Sequence, residues 1–248
     1  MRNRTSKKVR RGKSRKNVLK SLKVFYNNIN GIKLKQNTLQ RIIEEENPTI
    51  IGITETKLLK KEDMEIEGYC IKRVDREKED GGGGVLIAYK KCLKNVVMVV
   101  REEKENVEML WLKIDNGKVK LRVGIVYMPQ EKDTRLETIK KIYKKIEEEI
   151  EMATVNGETM ILMGDLNCKV GKMITNNTDE VSKGGRVLVN MCEKLDLTIM
   201  NKEDICKGTW TRIQKDKKSV LDYMIIKKKD LPLVSEMSID ESKILTPY

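Results

Sequence analysis

The sequence predicts an α+β fold in which two sheets pack face to face with helices outside them. Three observations carry that expectation. Short apolar runs, above all Thr49 to Thr54 and Met160 to Met163, have the density of strands buried on both faces. Asn116-Gly117 sits between two alternating runs, Val107 to Ile114 and Lys118 to Tyr127, the strongest short-range hairpin signal available. A long amphipathic helix, with Leu136, Ile139, Ile142, Tyr143, Ile146 and Ile150 on one side, separates two groups of strands. No internal repeat at a period of roughly 20 to 50 residues is visible.

In chain order, the sequence opens on a basic arm. Residues 2 to 16 hold nine Lys or Arg and no acid, so the net charge of +13 leaves 13 − 9 = +4 on the rest. Residues 1–21 are too polar to fold alone and read as a disordered arm, suited to phosphate backbones or nuclear import, or equally to solubility alone. Leu22 to Tyr26 is a short strand that runs into Asn27-Asn28-Ile29-Asn30-Gly31. Thr38 to Glu46 places Leu39, Ile42 and Ile43 on one helical face, and Asn47-Pro48 stops the helix. Thr49 to Thr54 is the next strand and ends in Glu55-Thr56-Lys57. A loop with an edge strand near Tyr69 to Val74 leads to the turn Gly81 to Gly84 and the strand Val85 to Tyr89.

After the Asn116-Gly117 hairpin closes in Tyr127-Met128-Pro129-Gln130, Thr134 and Glu137 have capping-box spacing ahead of the long helix. Met160 to Asn167, MILMGDLN, is the strand that follows. A further helix is predicted near Arg186 to Leu195, then strand character over Leu197 to Met200. A loop through Gly208-Thr209-Trp210-Thr211-Arg212 leads to a strand over Asp222 to Ile226, and an alternating piece spans Val234 to Ile239.

Composition excludes several classes. The longest clean apolar run, Val96 to Val100, is far short of the roughly 18 residues of a membrane span, so no membrane partner is expected. The charged N-terminus lacks the apolar block of a secretory signal. Five widely spaced cysteines without a CxxC pair argue for a reducing compartment, and against a disulfide frame or zinc ribbon. The four glycines at 81–84 precede no helix with a Lys-Ser/Thr start, which argues against a nucleotide loop. The chain contains no histidine, so catalysis must rest on carboxylates, amides, Tyr or Lys. Nothing in the sequence fixes an oligomeric state.

The candidate site consists of polar residues just past or within predicted strands: Asn28, Asn30, Glu55, Tyr127, Asp165, Asn167 and Asp222. Gly, Asp and Asn are ordinary turn formers, so GDLN alone could be a turn and nothing more. Taken together, the seven suit a hard cation. Mg²⁺, with Mn²⁺ as its substitute, takes one or two carboxylates and keeps several waters, which Glu55 and an Asn carbonyl from the first motif satisfy. Asp165 is then placed to activate water, Asn167 to hold that water or a phosphate oxygen, and Tyr127 to donate to the phosphate.

The ordered set NINGIK, PTIIGITETK, VYMPQ, MGDLN, WTR and SVLDY resembles the endonuclease/exonuclease/phosphatase superfamily over about residues 22–248. It is most similar to the apurinic-endonuclease-like nuclease domains of LINE-type (non-LTR) retrotransposons and their host-derived relatives. The resemblance implies a four-layered αββα sandwich and Mg²⁺-dependent cleavage of phosphodiesters in DNA, in the nucleus. It assigns Asn28 and Glu55 to the first two site positions, with Glu55 as metal ligand. Asn30 falls where many relatives have an Asp, and Tyr127, Asp165 and Asn167 match the phosphate-contacting Tyr and the GDxN pair. Asp222 matches the Asp that orients a catalytic His. That His is missing, and ILTPY resembles the segment just before it, so the sequence is expected to be truncated at its last core strand and impaired in rate. The alternatives are a catalytically inactive nucleic-acid-binding protein derived from such a nuclease, and a phosphoinositide or sphingolipid phosphodiesterase.

Overall fold

Two large sheets carry the fold in the computed structural model, which describes residues 21–75, 82–103, 105, 107–173, 181–214 and 217–242. The basic arm and the ILTPY ending lie outside the described residues, apart from Ser21. β1 (Val24–Asn28), β2 (Ile50–Thr54), β3 (Tyr69–Val74) and β4 (Val85–Lys90) form the first sheet in the order β1-β2-β4-β3. The second is built from β5 (Val97–Glu103), β6 (Glu108–Asp115), β7 (Lys120–Tyr127), β8 (Thr159–Asp165), β9 (Leu197–Ile199) and β13 (Asp222–Lys227), in the order β5-β6-β7-β8-β13-β9. Two short pairs, β10 (Cys206–Lys207) with β14 (Met237–Ser238) and β11 (Arg212–Gln214) with β12 (Lys217–Ser219), complete the strands among the described residues.

The period-two pattern of each strand assigns its faces. Ile50, Val85, Ile87 and Tyr89 of the first sheet meet Leu110, Leu112, Val123, Ile125 and Met163 of the second in the core between the sheets. The outer face of the first sheet, Ile51, Ile53, Leu86 and Ala88, is covered by Leu39 and Ile43 of α1 (Gln36–Glu46). The outer face of the second is covered by α2 (Leu136–Val155) and α3 (Lys183–Lys194). Each fully buried Leu or Ile in these layers contributes about 1.5–3 kcal/mol over its exposed state. The result is the expected four-layered αββα sandwich. On β2, Gly52 leaves room for Met163 to cross from the other sheet; a Cβ there would lie 2.6 Å from the Met163 sulfur.

Several local features differ from the sequence reading. The Asn-Gly hairpin forms with a four-residue loop, since Asp115 pairs with Lys120. Its tip is held by Asn116 Oδ1, which accepts from the N–H groups of Lys118 (3.0 Å) and Val119 (2.8 Å). The capping box at Thr134 does not form. Thr134 follows a 3₁₀ turn over Glu131–Asp133, so the helix begins one residue later with Arg135 at its N-cap and no side-chain cap. α3 begins three residues earlier than predicted because Ser182 caps it, accepting from Gly185 N–H at 3.2 Å. β5 was not assigned from sequence, and Val234 to Ile239 supplies only the two-residue β14. Among the described residues no helix is long and apolar enough to cross a membrane, and all five cysteines are free.

Candidate active site

The strand register of the second sheet assembles one row of polar side chains at a single edge. Glu108 pairs with Tyr127, Tyr127 with Asp165, and Asp165 with Asp222. All four stand on the face that carries Ile125 and Met163 and so look toward the first sheet. There, β1 and β2 end together at the pair Asn28 and Thr54, and Glu55 follows directly.

Asn28 joins the two sheets. Its Nδ2 donates to Glu55 Oε1 and to Asp165 Oδ2, each at 2.9 Å, and its Oδ1 accepts from Asn30 N–H at 3.2 Å. Because both acceptors are carboxylates, the amide has one orientation that satisfies them. The other oxygen of Asp165 accepts from Asn167 N–H at 2.9 Å, while Asn167 Nδ2 donates to Met128 O at 2.7 Å. Met128 N–H in turn donates to Asp165 O at 2.9 Å. A parallel link forms deeper in the cleft: Tyr26 Oη donates to Asp222 Oδ1 at 2.8 Å and lies 2.9 Å from Thr54 Oγ1. Asn201 holds the backbone on both sides, donating to Asp222 O (3.0 Å) and accepting from Met224 N–H (3.1 Å). Thr211 Oγ1 accepts from the N–H groups of Leu221 (3.0 Å) and Asp222 (3.2 Å).

Burial and crowding of like charge govern the electrostatics. Burial, followed by the charge of Asp222, pushes the Asp165 carboxyl well above the usual carboxylate range, against the bonds from Asn167 and Asn28. Burial raises Asp222 to about 6, opposed by its bonds to Tyr26 and Thr211. The Tyr26 phenol is raised well above its ordinary value by burial and by both carboxylates.

Four non-glycine residues around the cleft have left-handed backbones: Asn30 (φ 46°), Glu55 (φ 52°), Lys57 (φ 53°) and Asn167 (φ 45°). Each costs on the order of 1 kcal/mol and persists where the surroundings over-determine it. For the Glu55 segment those surroundings are visible. Gly31 and Ile32 N–H groups donate to Glu55 O (2.8 Å) and Thr56 O (3.0 Å), while Lys57 N–H donates to Gly83 O (2.9 Å). Gly84 (φ 89°) allows the approach, since a Cβ there would sit 2.4 Å from Thr56 Oγ1. The described part of the glycine run is thus a support for the Glu55 loop.

The structure therefore brings Asn28, Glu55, Asp165 and Asn167 into one bonded cluster, with Asn30 tied to it through Asn28, and sets Tyr127 and Asp222 on either side of Asp165. Among the described residues no three His, Cys, Asp or Glu side chains converge as a ready-made metal cage. The side chains bonded together there, Asn28, Glu55 and Asp165, nonetheless offer carboxylate and amide groups only, with neither imidazole nor thiolate. That composition fits Mg²⁺ or Mn²⁺, which need few protein oxygens, and does not fit zinc. Sequence reasoning missed Tyr26, Thr54, Asn201, Glu108 and Thr211. Tyr26 carried a usable signal, standing two residues before Asn28 and so on the same strand face.

The comparisons with known proteins agree with this architecture. The family model described as Endonuclease/Exonuclease/phosphatase family matches residues 28–242. Among solved structures, the endonuclease domain of TRAS1, a telomere-specific non-LTR retrotransposon, is similar with a TM-score of 0.63 and 19% identity, covering 91% of this chain and 93% of that one. AP endonuclease LMAP from Leishmania major is similar at 0.66 and 16%, over 84% and 79% of the two chains. The 3′ phosphatase NExo from Neisseria, bound to product DNA hairpin, is similar at 0.66 and 14%, over 84% and 88%. At these identities the likeness shows the fold alone. No curated protein sequence matches the chain. With the family model matched from Asn28, the amide that bridges the sheets, to Ser242, the chain belongs to the endonuclease/exonuclease/phosphatase family.

Proposed function

We propose that this domain hydrolyses phosphodiester bonds of DNA as a retrotransposon-type endonuclease dependent on Mg²⁺ or Mn²⁺. The observation that carries the reading is the Asn28 amide, which donates to Glu55 and Asp165 at 2.9 Å each and so ties a metal-binding carboxylate to a basic one across the two sheets. Glu55 and Asn30 would hold the ion, which when bound supplies positive charge to offset that developing on the phosphate. Asp165 takes the proton of the attacking water; its raised proton affinity suits a general base. Asn28 and Asn167 fix the Asp165 oxygens, and Tyr127, beside Asp165 in the register, donates to a phosphate oxygen.

Asp222 has Tyr26 as its partner in a chain without histidine. With one electrostatic donor fewer, the rate is expected to fall about 10²–10³ below that of a site that has it. DNA as substrate is supported by the net charge of +13 and by the likeness to an AP endonuclease and to a 3′ phosphatase bound to product DNA. The basic arm and the reducing environment implied by the cysteines suit the nucleus.

Conversion of supercoiled plasmid to nicked circles, with Mg²⁺, with EDTA and with Asp165→Ala, tests the reading. Mg²⁺-dependent nicking that disappears in EDTA and in the variant is expected. Nicking by Asp165→Ala at the wild-type rate overturns the assignment of the base. The strongly basic charge of +13 favours a second reading, a DNA-binding protein without catalysis; wild-type binding that is steep in salt, without any nicking, selects it.

A further inference from the structure

We propose that Glu131 is a positioning residue for this hydrolysis, holding Asn167 through the loop that follows β7; the proposal rests on Asp165 and Asn167 being the hydrolytic pair. The loop leaves β7 at Tyr127, and its next residue, Met128, is bonded through N–H to Asp165 O and through its carbonyl to Asn167 Nδ2. Three residues further on, Glu131 Oε1 accepts from Gly184 N–H at 2.8 Å and from the Ser182 hydroxyl. Ser182 returns the connection: its Oγ accepts from Lys169 N–H at 3.0 Å, and its N–H donates to Lys169 O at 3.0 Å. Lys169 is two residues from Asn167. A closed ring therefore runs from Asn167 to Met128, along the loop to Glu131, across to Ser182 and back through Lys169.

Two glycines make the ring possible. A Cβ on Gly184 would lie 2.6 Å from Glu131 Oε1, and one on Gly185 would lie 1.8 Å from Lys169 O. The bare backbone at the start of α3 admits the carboxylate on one side and the carbonyl on the other. Glu131 also brings a negative charge to the N-terminus of a twelve-residue helix, where charged acceptors bond strongly. The ring encloses the left-handed Asn167, whose conformation needs such support. It also borders a cavity of about 230 Å³ lined by Lys132, Lys169, Arg212 and Asn167. Releasing Glu131 frees the loop at one end, and a misplacement of about 1 Å in a catalytic group costs on the order of 10²-fold in rate.

The test uses Glu131→Ala, Glu131→Gln and Ser182→Ala in the full chain, read two ways. In plasmid nicking, Glu131→Ala and Ser182→Ala are expected to lower kcat about ten- to a hundredfold with KM for DNA within about twofold. Glu131→Gln, whose Oε1 accepts the same two bonds, should keep kcat within about threefold. In NMR, the Asn167 side-chain amide should shift and exchange faster with water in the two alanine variants and return to its wild-type position in Glu131→Gln. An unchanged Asn167 signal in Glu131→Ala, an effect on KM alone, or equal losses in the Gln and Ala variants would overturn the proposal. If the wild-type chain does not cut DNA, the hydrolysis reading falls separately, and the Asn167 amide still decides whether the ring holds it.

Discussion

Replacing Gly164 with Ala places one methyl group where the architecture has no room for it. Gly164 immediately precedes Asp165 on β8 and pairs in parallel with Val126 of β7. An added Cβ would lie 1.9 Å from Val126 O, 2.9 Å from its C and 3.0 Å from its N. These are backbone atoms of a central strand with neighbours on both sides, so relief requires the two strands to part by more than about 1 Å (3.0 − 1.9 = 1.1 Å to reach even a tight contact). Overpacking of this kind costs about 1–3 kcal/mol, and the ladder bonds on either side about 0.5–1.5 kcal/mol each. The expected destabilisation, with one such bond lost on each side, is about 2–6 kcal/mol. Because the parting occurs one residue from Asp165, the nicking rate should fall about 10²-fold in whatever fraction stays folded. Urea unfolding measures the first quantity, with Gly117→Ala as the control. Gly117 has φ 80° and nothing within 4 Å of an added Cβ, so it carries the backbone penalty of about 1–2 kcal/mol without a clash. A Gly164→Ala protein no less stable than Gly117→Ala would refute the reasoning.

Two further perturbations address the buried charges. Arg122, 4% exposed, bonds Glu158 through Nε at 2.7 Å and Glu149 through Nη1. Arg122→Met leaves both carboxylates buried, which typically costs about 3–5 kcal/mol. The lower end is expected because Arg101 remains 3.2 Å from Glu149 and Lys113 3.1 Å from Glu158. A loss under about 1 kcal/mol in urea would show that the ion network is dispensable. The cleft carboxylates govern pH dependence with the opposite sign from ordinary acids. Asp222, raised to about 6, and Asp165, also raised by burial, contribute stability that is fully present below the unfolded carboxylate pKa of about 4 and is lost as pH rises through the folded values. In EDTA, Asp222→Asn should match wild type in Tm near pH 4.5 and exceed it near pH 7.5. A difference that does not change with pH would contradict the burial of that charge.

Much of the sandwich was legible because its strands are buried and their periodicity is undiluted. β2 and β8 follow from apolar density alone, and the alternating runs around Asn116-Gly117 give β6 and β7 as a neighbour pair. The family resemblance supplied the layer order, which local pattern does not encode. What escaped were features settled by contacts distant in sequence. Thr134 has the spacing of a capping residue, but the 3₁₀ turn at Glu131–Asp133 takes it out of position, while Glu131 itself is drawn away to Ser182 and Gly184. The seven polar residues singled out from sequence stand at the strand ends or loops expected of them. The partners that orient them, Tyr26, Thr54, Asn201 and Thr211, come from four separate segments with no spacing in common. Asp222 looked like an isolated charge in a strand, and only the docking of the two sheets reveals the tyrosine that meets it.

Gly52 gains a wider meaning from this geometry. It admits the Met163 side chain at the midplane, and Met163 lies only two residues before Asp165 on the same strand face. The spacing between layers and the reach of the Asn28 bridge are therefore one mechanical quantity. A larger residue at 52 would first displace the flexible end of Met163, whose sulfur and methyl stand 2.6 Å from an added carbon, and so would disturb the packing two residues from Asp165 without touching any polar group. Positions 52 and 163 share one volume at the midplane, so a larger residue at one is expected to be accompanied by a smaller one at the other in divergent homologues.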